Sequence, residues 1–91
     1  MKVKYSPELI KTLNRKDVRI RKSFKERILV FSKNPNDLRL NNHPLHEPYQ
    51  DRRSIDITGD YRAHYKEIQE GEKTVAYFVS LGTHEELYGP V

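Results

Sequence analysis

Cysteine is missing from this sequence of 91 residues, and so is tryptophan. Without cysteine the chain has no disulfide framework, no thiolate metal site and no cysteine nucleophile, and its composition fits a reducing cytoplasm. Long apolar runs are missing too, since the longest spans only residues 75–79. A membrane-spanning helix needs about 20 apolar residues and the apolar part of a signal sequence about 7–15. We therefore predict a cytoplasmic protein with neither.

The chain is short and polar, yet it has enough apolar residues to fold. Hydrophobic residues make up 35% and charged residues 33% of the sequence, which includes six tyrosines and three phenylalanines. This length falls below the common domain size of about 100–150 residues. We predict a single domain over residues 1–91 with a thin core rather than a disordered chain.

Positive charge is concentrated in the first third of the sequence. Residues 1–33 carry eleven Lys or Arg and three acidic residues, a net charge of +8, whereas residues 34–91 carry a net charge of −4. A basic half of this kind favours a polyanion or an acidic protein segment as partner. An ordinary solvated helix face is equally consistent with the composition.

The first half of the sequence predicts a strand followed by two helices. Residues 1–5 alternate apolar and basic side chains, and Ser6-Pro7 is typical of a helix start. A second helix begins near residue 16 and ends near Asn34-Pro35, because proline disfavours helical geometry in the residue before it. The apolar stripes of the two helices consist of Leu9, Ile10 and Leu13, and of Ile20, Phe24, Ile28 and Phe31. We therefore expect an αα-hairpin.

The second half predicts a long connection and then a meander of three strands. Residues 34–51 contain three prolines among polar residues and are interpreted as an extended connection. Alternating strands follow at residues 53–57, 61–69 and 73–81, separated by turns at 58–60 and 70–72. The predicted fold class is α+β in the order β-α-α-β-β-β, an antiparallel sheet with the helical hairpin packed on one face. A turn or short helical piece ends the chain.

Period-two alternation divides the side chains of this sheet into two faces. The face expected to meet the helices carries Ile55, Ile57, Tyr61, Ala63, Tyr65, Val75, Tyr77, Val79 and Leu81. The opposite face carries Ser54, Asp56, Arg62, His64, Lys66, Phe78 and Ser80. Because only one face is covered by helices, the second is open to a ligand.

Motifs with strong local signatures are absent from the sequence. It has no glycine-rich phosphate loop, no His-Glu-x-x-His pair and no Ser-His-Asp order. The residues able to perform acid–base or phosphate chemistry are His43, His46, Arg53, Asp56, Asp60, Arg62, His64, His84 and Tyr88. Histidines can divide base and acid roles around a scissile bond, and arginine stabilises negative charge on a phosphate.

Each of these residues also has a simpler interpretation. His43 and His46 flank Pro44 and Leu45, and without cysteine a structural zinc site is improbable, so we predict no metal. Arg62 and His64 fit ordinary solvated strand positions, and Asp60 fits a turn residue after Gly59.

The order of elements and three short segments resemble the RelE/ParE toxin superfamily, in particular its YafQ-like branch. The segments are His43-Pro44-Leu45, Asp60-Tyr61-Arg62-Ala63-His64-Tyr65 and Gly82-Thr83-His84-Glu85-Glu86-Leu87-Tyr88-Gly89. The similarity spans nearly the whole chain and is weak over the helices. It implies the toxin of a type II toxin–antitoxin pair, a ribosome-dependent mRNA endonuclease that cuts in the A site without metal or cofactor.

The resemblance also implies roles for individual residues. The 2′-hydroxyl attacks the adjacent phosphate, with proton transfer by His84 together with His43 or Asp60. Arg62, with Arg53, would stabilise phosphate charge, and Tyr88 would orient or stack a nucleotide. At Asp56 the YafQ-like pattern carries histidine, and His64 on the same predicted face as Arg62 would compensate. The basic helical residues expected to contact ribosomal RNA are Arg15, Lys16, Arg19, Lys22, Lys25 and Arg27.

The resemblance implies as partners a cognate antitoxin, the ribosome and mRNA, with operator DNA reached only through the antitoxin complex. Two other functions fit the same fold: a ParE-like gyrase poison, and an inactive module that binds an antitoxin and operator DNA. The first has no need of His43, His84 and Tyr88, whereas the second explains Asp56 equally well.

Overall fold

A computed structural model describes residues 1–89, so the last two residues of the predicted 1–91 domain lie outside the described residues. The elements are β1 (Lys2–Tyr5), α1 (Pro7–Arg15), α2 (Val18–Lys33), a 3-10 helix (Leu38–Leu40), β2 (His43–Pro44), β3 (Arg53–Asp56), β4 (Tyr61–Glu70), β5 (Lys73–Thr83) and α3 (His84–Tyr88). Among the residues described, none of the helices has both the length and the apolar character needed to cross a membrane.

The five strands form one sheet in the order β1-β5-β4-β3-β2. Strands β3 to β5 pair antiparallel as predicted, and the additional strand β2 pairs antiparallel with β3. The predicted antiparallel sheet is nevertheless mixed, because β1 lies parallel to β5. The chain passes through the helical hairpin before it re-enters the sheet at the opposite edge, which allows this parallel pairing. The predicted α+β fold class is confirmed.

The segment interpreted as an extended connection is more ordered than predicted. It contains the 3-10 helix and the two-residue strand β2, whose His43 and Pro44 pair with Ser54 and Arg53 of β3. Proline lacks a backbone N–H, but it is tolerated at an edge strand because that strand pairs on one side only. The sequence pattern missed β2 because two residues are too few to show alternation.

Both predicted helices begin at capping residues. The Ser6 hydroxyl oxygen accepts a hydrogen bond from the Leu9 N–H at 3.0 Å and donates one to the Val79 carbonyl at 3.2 Å. The Asp17 carboxylate caps α2 by accepting from the Ile20 N–H at 3.0 Å. These contacts satisfy N–H groups that have no partner inside the helix, and the Ser6 hydroxyl also ties α1 to the sheet.

The core lies between the helices and one face of the sheet, and aromatic rings form its centre. Phe31 of α2 is fully buried, with its ring centroid 5.0 Å from that of Tyr65 and 5.3 Å from that of Phe78. Phe24 also meets Phe78 edge to face at 6.4 Å. Ile55, Ile57, Ala63, Tyr65 and Leu81 belong to this core, as the alternation predicts.

Phe78 was predicted on the open face and lies in the core instead. His64 pairs with Ser80 and Tyr65 with Phe78, so Val79 has no partner in the register. One extra residue in a strand reverses the alternation beyond it. Ala76 and Phe78 therefore join the core cluster, in which Val75, Tyr77 and Val79 take no part.

Candidate active site

The open face of the sheet carries a row of polar side chains across four strands. His43 pairs with Ser54, Ser54 with His64, and His64 with Ser80. Directly paired residues share a face, and the chain neighbours of His64 on both sides lie in the core. The row therefore lies on the face that is turned away from the helices.

His64 is the centre of this row. Only 2% of its surface is exposed, and its Nε2 lies 2.9 Å from the Tyr88 hydroxyl, with which it shares a hydrogen bond. Burial, followed by the charges of Arg52 and His43, lowers the pKa of His64 to about 4. The imidazole is therefore neutral at neutral pH. Burial also raises the pKa of Tyr88, so its phenol is protonated.

Aromatic rings cover His64 on the open face. Its ring centroid lies 5.4 Å from that of Tyr88 and 6.5 Å from that of Tyr49. Tyr49 and Tyr88 meet edge to face at 5.8 Å, and the exposed His84 ring lies 4.7 Å from Tyr88. His64, His84, Tyr49 and Tyr88 therefore form one connected cluster, the aromatic cluster.

The short helix α3 places His84 and Tyr88 in this cluster. Thr83 caps the helix through a reciprocal capping box with Glu86, whose other oxygen pairs with Lys16 at 2.9 Å. A side chain at Gly82 would place its Cβ 3.0 Å from the Glu86 Cβ, a tight contact that favours glycine at this position. Lys16, predicted as an RNA contact, thus holds α3 against the end of α1.

His43 lies at the other end of the polar row, at the edge of the sheet. Its Nδ1 lies 2.8 Å from the Asn41 carbonyl oxygen. A carbonyl oxygen can only accept, so Nδ1 donates this bond and carries the proton of the neutral imidazole. The Nε2 lone pair is then the one able to accept a proton from a substrate.

Arg62 and Asp56 form an ion pair on the same face. The Arg62 Nε lies 2.9 Å from Asp56 Oδ1, and its Nη1 donates to the backbone carbonyls of Thr58, Gly59 and Tyr61. The carboxylate that departs from the YafQ-like pattern is therefore matched by a positive charge. The Nη1 hydrogen bonds hold the guanidinium beside this carboxylate.

Two predicted site residues lie apart from the aromatic cluster. Asp60 is an exposed residue of the 58–60 turn and lines a separate cleft beside the first turn of α2. Arg53 pairs in register with the buried Tyr65, and its Nε donates to the Asn42 side chain, which donates in turn to the Tyr65 hydroxyl. Arg53 therefore lies on the helix-facing side of β3.

The other predicted basic contacts lie on the helices. Arg15, Arg19, Lys22 and Lys25 are exposed, whereas Arg27 is half-buried and lines a small cleft with Arg39. Their assignment to RNA stays a prediction.

Sequence reasoning missed Tyr49 and Arg52, both in the loop between β2 and β3. The Arg52 guanidinium lies 5.1 Å from the centroid of the Tyr49 ring, a cation–π contact. The loop is closed by backbone bonds from Leu45 N–H to the Arg52 carbonyl and from Arg52 N–H to the Tyr49 carbonyl. Strand alternation was the signal that could have identified Arg52, because residues two apart in a strand share a face and Arg52 stands two before Ser54.

The lowered pKa of His64 predicts a specific loss of stability in acid. Between about pH 6.5 and pH 4, unfolded chains carry a protonated His64 and folded chains do not. The unfolded state then binds more protons, so the free energy of unfolding falls as the pH falls through this window. Urea unfolding at several pH values measures the effect, and His64→Gln should show a smaller decline than the wild type.

The exposed His46 provides the matched control. His46→Gln is expected to retain the wild-type decline, because it removes an exposed histidine and leaves the buried His64 in place. Equal declines in His64→Gln and the wild type would contradict a neutral His64 in the folded protein.

No protein-family model matches this sequence, and no curated protein does either. Solved structures do match. A YoeB/ParE toxin from Agrobacterium tumefaciens is 18% identical, with a TM-score of 0.73 over 92% of this chain and 99% of that one. YafQ from E. coli is 23% identical, with a TM-score of 0.65 over 96% and 97%. An antitoxin–toxin complex, RelB-RelE from Methanococcus jannaschii, contains a chain 20% identical, with a TM-score of 0.67 over 97% and 98%.

These matches cover nearly the whole of each chain in both directions. They include YafQ and a RelE complex. This agrees with the resemblance seen in the segments around His43, Arg62 and His84. Sequence identity this low bears on the fold rather than on the chemistry. The chain has the fold of the RelE/ParE toxin superfamily, and the resemblance seen in its sequence is confirmed at that level.

Proposed function

We propose that this protein is the toxin of a type II toxin–antitoxin pair and acts as a ribosome-dependent mRNA endonuclease. The observation that carries the proposal is the convergence of His43, His64, His84 and Tyr88 on the open face of a RelE-like fold. A face that only packed against solvent would not need a buried histidine bonded to a tyrosine.

The proposed reaction is attack of a ribose 2′-hydroxyl on the adjacent phosphate. The bond from O2′ to phosphorus forms as the bond from phosphorus to O5′ breaks, giving a 2′,3′-cyclic phosphate and a 5′-hydroxyl. A base must take the proton of the 2′-hydroxyl, and an acid must give a proton to the leaving O5′.

We assign the base to His43 and the acid to His84. The hydrogen bond from His43 Nδ1 to the Asn41 carbonyl supports the first assignment, because it leaves Nε2 as the proton acceptor. The separation of Asp60 from the aromatic cluster argues against a carboxylate base. His84 is exposed beside the Tyr88 ring, where a leaving oxygen can reach it.

His64 and Tyr88 position the site. The neutral, buried His64 holds the Tyr88 hydroxyl at 2.9 Å, and the Tyr88 ring in turn packs on His84. Arg62, paired with Asp56 and held by backbone carbonyls, places a guanidinium on the same face. Charge placed in advance stabilises the transition state without reorganisation during the reaction.

The exposed basic residues of the helices suit ribosomal RNA. Removing Arg15, Arg19, Lys22 and Lys25 would release fewer counterions on binding, so affinity and its salt dependence would both decrease. The same positive surface suits an acidic segment of a cognate antitoxin. A ribosomal substrate would place the protein in the cytoplasm.

Growth arrest tests the toxin assignment. Induced expression of the wild-type protein in a bacterial host is expected to stop growth, and His84→Ala is expected to abolish the arrest. The exposed His46 lies outside the aromatic cluster, so His46→Ala should still arrest growth.

Two outcomes would contradict the proposal. Arrest by His84→Ala at the same expression level would show that His84 is not needed for toxicity. Arrest with gyrase-dependent DNA damage would identify a gyrase poison instead.

A further inference from the structure

The three arginines near the open face differ in how far their guanidinium groups are already bound. Arg53 is bonded to Asn42 on the helix-facing side. Arg62 is bound by Asp56 and by three carbonyls. Arg52 is bound less tightly, because its Nε is buried without a hydrogen-bond partner among residues 1–89 and its ion pair with Asp51 spans 4.0 Å.

An unpartnered buried N–H is unusual in a folded protein. Leaving such a donor unsatisfied costs about 1–3 kcal/mol, and these groups often mark functional positions. The nearest carboxylate, Asp51, lies 4.0 Å from this Nε, and its other oxygen lies 3.3 Å from the Lys66 ammonium. Asp51 is therefore shared with Lys66 and lies too far from the Arg52 Nε to accept a hydrogen bond from it.

Arg52 lines a cleft that also includes Tyr49 and His64 of the aromatic cluster. The cleft has a volume of about 450 Å³ and is lined by Tyr49, Arg52, His64 and Ser80, together with parts of α1 and α3. Two carboxylates also line it: Glu86, which is paired with Lys16, and Glu8 in the first turn of α1. Arg52 therefore contributes a guanidinium to the lining of this cleft.

The Tyr49 ring supports the Arg52 guanidinium from one side. Their separation of 5.1 Å is within the range of a cation–π contact, which holds a planar guanidinium at low entropic cost. A guanidinium offers a fork of donors that matches the oxygens of a phosphate. Arg52 thus has a guanidinium supported by a ring, a buried N–H without a hydrogen-bond partner among residues 1–89, and an adjoining cleft.

We propose that Arg52 binds the phosphate of the RNA strand being cleaved and that Tyr49 is the positioning residue that holds it there. This inference rests on the proposed function, because it takes RNA as the ligand of the cleft. It adds a substrate contact from the β2–β3 loop, which the sequence motifs did not indicate.

The test compares Arg52→Gln, Arg52→Lys and Arg39→Gln on ribosomes programmed with a short mRNA. Arg39 pairs with Asp37 and does not line the cleft, so its variant is the matched control. Arg52→Gln is expected to lower kcat/KM by about 10²-fold, as loss of one phosphate donor does. Arg52→Lys should recover part of this loss, and Arg39→Gln should stay within about twofold of the wild type.

A phosphorothioate mRNA separates phosphate contact from a structural role. Replacing one non-bridging oxygen of the scissile phosphate by sulfur should slow the wild type for one diastereomer. The ratio of oxygen to sulfur rates should fall toward one in Arg52→Gln and keep its wild-type value in Arg39→Gln. Thermal unfolding checks the fold, and Arg52→Lys carries the comparison if Arg52→Gln does not fold.

The outcomes distinguish this inference from the proposed function. A wild-type protein that does not cleave ribosome-bound mRNA overturns the proposed function, and the inference with it. A wild type that cleaves, with Arg52→Gln matching Arg39→Gln in rate or keeping the wild-type sulfur ratio, overturns the inference alone.

Discussion

Replacing His43 or His84 by glutamine is expected to slow mRNA cleavage by about 10²–10⁴-fold, the usual contribution of a positioned acid or base. Glutamine keeps the size and polarity of the side chain but cannot exchange a proton. The rate is measured on ribosomes programmed with a short mRNA under single-turnover conditions. His46→Gln, an exposed histidine outside the aromatic cluster, should cleave at the wild-type rate.

The two roles can be told apart with a substrate whose leaving oxygen O5′ is replaced by sulfur. A thiolate leaves without protonation, so the His84→Gln variant should regain activity on this substrate. The His43→Gln variant should stay slow, because the 2′-hydroxyl still needs a base. Recovery by His43→Gln instead would reverse the two assignments, and wild-type rates in both variants on the natural substrate would contradict proton transfer by these histidines.

Phe31→Ala is expected to produce one of the largest losses of stability among single substitutions in the core. Phe31 is fully buried and packs against both Tyr65 and Phe78. Truncating a buried phenylalanine costs about 3–5 kcal/mol through lost burial and the cavity left behind. Small domains are stable by about 5–15 kcal/mol, so this loss removes a large share of the total. Urea unfolding should show a much lower midpoint.

Leu38 supplies the control for this measurement. Its side chain is 96% exposed, so Leu38→Ala should change the free energy of unfolding by less than about 0.5 kcal/mol. A loss below about 1 kcal/mol in Phe31→Ala would mean that these aromatic contacts do not hold the helices on the sheet.

The helices and long strands were predictable because their signals are local. Ser6 and Asn34 mark boundaries through capping and through the following proline, and the stripe from Ile20 to Phe31 repeats at helical spacing. The position of Phe78 was not predictable, because the extra residue at Val79 becomes apparent only when β5 pairs with β4. The parallel pairing of β1 likewise depends on contacts far apart in the sequence.

The candidate site was predictable in part. His43, His64, His84 and Tyr88 were selected from motifs and strand alternation, and the fold places them on one face. The burial of His64, with its lowered pKa, depends on α3 and the β2–β3 loop folding over the sheet, which no local pattern indicates.

The arginines show most clearly that spacing in the sequence does not predict the partners of a side chain. Arg53 alternates with Ser54 and therefore lies on the helix-facing side, where it bonds Asn42. Arg62 is matched by Asp56, so the departure from the YafQ-like pattern became an ion pair rather than a repulsive charge. Arg52 was overlooked because its environment is made by a loop, whose path the sequence did not fix.

The central claim is that this RelE-like fold cuts mRNA on the ribosome with His43 and the aromatic cluster of its open face. Primer extension on a reporter mRNA in a translating extract tests it most directly, with the wild type, His84→Ala and a lane in which translation is blocked before elongation. We predict discrete in-frame cuts that require both translation and His84. The absence of cuts from a folded wild-type protein, or cuts that persist in His84→Ala, would contradict the claim.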